Sequence, residues 1–142
     1  MRVLCFGVLA TLAAACAVPL DPCAPETSVA GSWQYAGFQD APVSAELSGT
    51  LEVTSESCEG FQGQLDVVEV DGLGATRRLA GPVSGRVLSP TSLRFDAFLA
   101  GVARQHIASL GPQTAGGTWV VVSAGAESAR TGSFTAFRGL AP

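Results

Sequence analysis

Lysine is absent from this chain of 142 residues, and histidine occurs once, as His106. Without lysine no Schiff-base chemistry is open to it. With a single histidine no His–His pair can hold zinc, and no Gly-x-Ser-x-Gly turn marks a nucleophile elbow. Charge is also sparse: 14% of residues carry it, for a net −4. No basic cluster exceeds Arg77-Arg78, so a nucleic-acid footprint is absent, and so is the polybasic patch that docks on anionic lipid. After Ala30 no window sustains a 3.6-residue period over three turns, which argues against long helices. What remains is 47% apolar, too hydrophobic for a disordered tail and of a length suited to one domain.

The N-terminus accounts for part of that apolar content. Arg2 precedes an apolar run from Val3 to Leu12 and then Ala13-Ala14-Ala15-Cys16. A basic start, a short apolar stretch and small residues before a cut describe a secretory signal peptide. The run is too short for a comfortable membrane-spanning helix. Leu12-Ala13-Ala14-Ala15-Cys16 resembles the bacterial lipobox, with Ala13 where leucine is commoner. The resemblance implies a diacylglycerol on Cys16 and acylation of the new amino group. Several acyl chains make such an anchor stable, since each buried CH₂ contributes about 0.8 kcal/mol. It also implies a cell-envelope protein facing an extracytoplasmic compartment. In a host with two membranes, Ala17 after the cysteine resembles outer-membrane sorting. The alternative is ordinary signal cleavage, after Ala15 or Ala17, leaving a soluble secreted protein.

Four cysteines are present. Cys5 leaves with the signal and Cys16 takes the lipid, so Cys23 and Cys58 remain to pair in an oxidising compartment. The bridge would close a loop of about 35 residues and stabilise by roughly 3–4 kcal/mol in the chain-entropy model. Neither cysteine has a metal or redox spacing.

Residues 17–30 carry Pro19, Pro22 and Pro25 among small and polar residues, the composition of an extended tether. Beyond them period two recurs. Ala45, Leu47, Gly49, Leu51 and Val53 alternate with Glu46, Ser48, Thr50 and Glu52, which describes a half-buried strand. Similar runs surround Phe61–Val67, Leu79–Val87 and Leu93–Leu99, with Pro82 predicting a bulge or an edge. Adding those near Gly31, Val102, Gly117 and Gly132 gives about eight strands. Glycine, a polar residue and a large apolar one recur together, as in Gly31-Ser32-Trp33, Gly63-Gln64-Leu65, Gly85-Arg86-Val87, Gly117-Thr118-Trp119 and Gly132-Ser133-Phe134. Glycine beside a large inward residue suits a small sheet coiled upon itself. The fold class is therefore all-β, an antiparallel up-and-down barrel. Residues 1–15 form the signal peptide, 16–30 the lipid-anchored tether, 31–138 the barrel and 139–142 a C-terminal tail.

Gly31-Ser32-Trp33 on the first strand and Phe134-Thr135-Ala136-Phe137-Arg138 on the last resemble the superfamily of lipocalins, avidins and fatty-acid-binding proteins. That resemblance implies that Arg138 packs over Trp33 and closes one end of the barrel. The polar contacts by which avidin holds biotin have no counterparts that can be aligned here.

Trp33, Tyr35, Phe61, Phe95, Trp119 and Phe134 are the inward aromatics, and they either fill the barrel or line an apolar pocket. Asp66, Glu69 and Asp71 form the densest carboxylate group; they lack a calcium-loop spacing and suit a solvated strand end. Asp71-Gly72-Leu73-Gly74 has hairpin-turn chemistry. His106, with apolar and polar neighbours on both parities, is expected to be structural or at the surface. No metal or cofactor is expected. The leading expectation is a non-enzymatic envelope lipoprotein whose barrel binds a small apolar ligand or a partner. The rivals are a filled-core structural or inhibitor-like module and, least, a hydrolytic enzyme using His106.

Overall fold

The computed structural model describes residues 27–122 and 130–139. The expected signal peptide and anchor Cys16, Cys23, most of the expected tether and residues 140–142 of the expected tail lie outside the described residues. Eight strands follow in order: β1 (Gly31–Ala41), β2 (Ala45–Ser57), β3 (Gly60–Asp71), β4 (Thr76–Ser89), β5 (Ser92–Leu99), β6 (Val102–Leu110), β7 (Thr114–Val121) and β8 (Thr131–Arg138). Each pairs antiparallel with the next, and β8 returns to β1, closing the barrel. This is the all-β, up-and-down closed barrel that the alternation predicts. Closure leaves no sheet edge free to pair with another chain.

Alternation along each strand divides it into an inward and an outward face. Leu47, Leu51 and Val53 of β2, Leu65 and Val67 of β3 and Leu93, Phe95, Ala97 and Leu99 of β5 all belong to one buried core. Register shifts between Gln39 and Ala41, Val53 and Ser55, and Val87 and Ser89 add local twist and help the sheet to curl. The ladder between β4 and β5 ends at Val83–Ala97. Pro82, which has no N–H to give, stands just beyond it while opposing Gln64 of β3. At the β3–β4 turn the Asp71 carboxylate accepts hydrogen bonds from the backbone N–H groups of Leu73 and Ala75, both at 2.9 Å. Gly74 there has φ +82°, a conformation that glycine adopts without strain.

The two ends of the barrel differ. At the base lie the β2–β3, β4–β5 and β6–β7 turns together with the chain's entry into β1. Trp33 is paired with Arg138 across the β1–β8 seam, and the guanidinium carbon lies 4.7 Å from the indole centroid. Arg138 also donates to the Ser28 carbonyl at 2.6 Å, and the Trp33 indole N–H to that of Val29 at 2.9 Å. Residues 28–29 are thereby drawn across the base, with Val29 buried. The opposite end, where β1 meets β2 and β3 meets β4, is the mouth.

Interior space is short enough that certain positions tolerate no side chain. A methyl group added at Gly132 would run into the Phe38 carbonyl and come within 2.6 Å of the Trp119 ring; at Gly85 it would meet Phe61 at 2.6 Å. Gly132→Ala is accordingly expected to destabilise by about 1–3 kcal/mol, the usual cost of overpacking. Gly72→Ala, with only the Ser44 carbonyl at 3.7 Å, should stay near wild type in the same denaturant melt. Arg138→Ala should lose the cation–π contact of about 1–2 kcal/mol and lower the melting temperature by roughly 5–10 °C. An unchanged melting temperature would show that the base is held by other contacts.

Candidate functional site

The six aromatics expected to point inward are all buried, Trp33, Tyr35, Phe61, Phe95, Trp119 and Phe134. They pack against one another: Tyr35 stacks on Phe134 with centroids 5.4 Å apart, and Phe95 meets Phe134 edge-on at 5.7 Å. Trp33, Phe61, Phe95 and Phe134 enclose a void of only about 20 Å³ with Val29, Leu51 and their neighbours. That is room for little more than a water molecule, so these rings fill the lower barrel.

His106 sits among them with no exposed surface. Its ring stacks on Phe95, centroids 4.2 Å apart and planes 8° from parallel. Nδ1 lies 3.0 Å from the Arg104 carbonyl and Nε2 lies 3.2 Å from the Tyr35 hydroxyl. A carbonyl can only accept, so Nδ1 carries the proton and Nε2 accepts from Tyr35. Burial pushes the imidazole down to about pKa 3, and the nearby Arg104 charge adds to that. Burial likewise raises the Tyr35 hydroxyl, partly offset by Arg104. Both groups are neutral at physiological pH and satisfied by one another.

Polar side chains accumulate toward the mouth. Arg104, 3% exposed, lies with its guanidinium carbon 4.8 Å from the Trp119 ring centroid and reaches Glu69 at 3.4 Å. Glu69 is held closer by Arg77, at 2.7 Å. Burial draws the Arg104 guanidinium below its ordinary pKa, an effect that Glu69 counteracts. Among the described residues, Arg104 Nε and Nη1, Trp119 Nε1 and Gln39 Oε1 are buried without a hydrogen-bond partner. Above this cluster a cleft of about 370 Å³ is lined by Gln39, Pro42, Val43, Glu69, Arg77 and Arg130, among others. Glu69 thus belongs to the cleft wall and to the buried cluster at once.

Glu69 corrects one expectation. It is not part of a solvated strand end but is 9% exposed inside the mouth. It continues the inward parity of Phe61, Gly63, Leu65 and Val67, whereas Asp66 faces outward and pairs with Arg78. Arg104 and Gln39 were not singled out by sequence reasoning. The signal for Arg104 lay in parity: Ala108 and Leu110 place it and His106 on one face, while Ile107 points out to solvent. Cys58 lies exposed at the β2–β3 turn, at the base; Cys23 and Cys16 fall outside the described residues. Among those residues no three His, Cys, Asp or Glu side chains converge as metal ligands would.

Neutral burial of His106 gives the fold an acid sensitivity with a definite sign. Below its unfolded pKa of about 6.5 the unfolded chain binds a proton that the folded chain refuses until about pH 3. Stability from this residue is therefore present above pH 6.5 and lost as pH falls toward 3. Between pH 7 and pH 5 the loss should reach about 2 kcal/mol. In urea melts at the two pH values, His106→Gln should flatten most of that difference. A wild-type difference that the substitution leaves untouched would place the acid sensitivity elsewhere.

No protein-family model matches the chain, and no curated protein matches it. Solved structures do. EF1p2_mFAP2b bound to DFHBI superposes with a TM-score of 0.60 at 15% identity, over 78% of this chain and 93% of that one. The S-type phycobiliprotein lyase CPES from Guillardia theta superposes with a TM-score of 0.51 at 8% identity, over 80% of this chain and 90% of that one. At such identities the likeness is one of fold: these structures superpose on the closed, eight-stranded antiparallel barrel of this chain.

Proposed function

We propose that this protein is a non-enzymatic, lipid-anchored envelope protein whose barrel receives a small ligand at its polar mouth. The observation that carries this reading is the cleft of about 370 Å³ with the unpartnered, buried Gln39 Oε1 in its wall. A concave site with a few convergent polar groups is the usual form of a small-molecule site. The structural neighbour bound to DFHBI supports it to the extent that this barrel form can hold an organic molecule. A non-enzymatic role is supported by His106, whose two ring nitrogens are both engaged away from solvent.

The anchor at Cys16 rests on the lipobox resemblance. The chain enters the barrel at the base, so an anchor preceding it would leave the mouth facing away from the membrane. The Cys23–Cys58 bridge has support from the same end. Ser28 Oγ and Val29 N both donate to the Glu56 carboxylate, at 2.7 and 2.9 Å. Residues 28 and 29 are thus set beside the β2–β3 turn that carries Cys58. From Thr27, four residues can span up to about 14 Å. The rival reading, an interaction module with a filled core, is favoured by the closed base and its void of about 20 Å³.

Native mass spectrometry of the protein gently extracted from its own envelope tests these readings together. The expected species begins at Cys16, carries acyl chains and retains a small molecule of defined mass. A barrel that is consistently empty would favour the interaction module, and a mature chain without acyl groups would overturn the anchor. Non-reducing peptide mapping of the same material should recover Cys23 linked to Cys58; free thiols at both would refute the bridge.

A further inference from the structure

A buried guanidinium with a single distant counter-charge is costly to hold, because burial removes its hydration and pairing has to replace it. Arg104 is in this position. Among the described residues its ion-pair contact is to Glu69 at 3.4 Å, and it competes with the shorter Arg77–Glu69 contact at 2.7 Å. Its Nε and Nη1 have no hydrogen-bond partner among the described residues, and neither does the nearby indole N–H of Trp119. All of these are donors. Three of the chain's eight arginines, Arg77, Arg104 and Arg130, meet at this end of a protein whose net charge is −4. The cleft wall offers in return two carboxylates, Glu69 and Asp71, and the acceptor Gln39 Oε1. The Asp71 carboxylate is already occupied by the turn N–H groups of Leu73 and Ala75.

We propose that the mouth recognises a small organic carboxylate, which takes the Arg104 guanidinium as its partner while Glu69 turns fully onto Arg77. This deepens the ligand-binding reading and rests on it. Glu69 is the internal stand-in: its carboxylate holds the place that the ligand's carboxylate takes, and its contact with Arg104 is the longer of its two. Gln39 Oε1 at the cleft wall accepts from a hydroxyl or N–H elsewhere on the ligand. The Arg104 cation lies over the Trp119 ring, so a carboxylate arriving there changes the surroundings of that indole.

The test uses the mature protein with 4-hydroxycinnamate as the probe and its primary amide as the uncharged control. Binding is followed by calorimetry and by the two indole N–H proton resonances, that of Trp119 being the one lost in Trp119→Phe. The carboxylate should bind and move the Trp119 resonance, and the amide should bind at least tenfold more weakly. Arg104→Gln should cost the carboxylate at least tenfold. Glu69→Gln, which removes the competing internal carboxylate, should tighten carboxylate binding several-fold, a gain that loss of structure cannot produce. It decides the matter if Arg104→Gln fails to fold. Equal affinity for carboxylate and amide would overturn the anion proposal and leave ligand binding at the mouth standing. Absence of carboxylate binding up to 10-millimolar probe, or weaker binding in Glu69→Gln, would overturn it as well. A small molecule of another class retained in the native spectrum would then show that the broader reading survives.

Discussion

Eight strands closed on themselves enclose a volume that side chains can just fill, and every inward position in this protein competes for that volume. Gly85 and Gly132 leave room for the rings of Phe61 and Trp119, and a side chain at either would also run into a carbonyl of the adjoining strand. Closure of β8 onto β1 also brings Arg138 against Trp33. The two residues lie over a hundred positions apart, and no local interaction could join them. The arginine then draws residues 28–29 over the base through their carbonyls and the Trp33 indole. Packing at the base is thus a consequence of closure, and closure depends on the same small set of glycines and rings.

The interior is graded along the barrel axis. Apolar and aromatic residues fill the base; Tyr35 and His106 satisfy one another in the middle; Arg104, Glu69 and Gln39 occupy the mouth. Arg104 joins the two upper layers. Its carbonyl accepts from His106 Nδ1, which sets the tautomer of the imidazole, while its side chain crosses Trp119 to reach Glu69. A neutral His–Tyr pair is an economical way to end an apolar core, since each group supplies what the other lacks. A charged pair at that depth would need compensation for lost hydration. The charges are placed one layer higher, where Glu69 also forms part of the cleft wall.

Much of this was legible in the amino-acid order. Period-two alternation marked the strands, the repeated glycine–polar–large triplet pointed to a coiled sheet, and Asp71 with Gly74 announced the β3–β4 turn. The inward aromatics were identified by parity alone. The lining of the mouth was not, and the reason is physical. Hydrophobic alternation assumes that inward means apolar, yet β6 directs Arg104 and His106 inward and Ile107 outward. The compensating partners, Glu69 for Arg104 and Tyr35 for His106, lie on strands 35 and 71 residues distant. For the same reason Glu69 resembled a solvated strand end until β6 was placed across the barrel from it.

By itself the sequence determined the class of fold, the alternation of the clearest strands and which large rings face inward, because these follow from local stereochemistry and from the burial of apolar surface. Only the tertiary structure decided that the rings fill the base instead of lining a pocket, and that three arginines and a buried carboxylate meet at the mouth. Filling depends on how volumes from eight strands add together. The worth of a buried charge depends on a partner that closure of the barrel brings near.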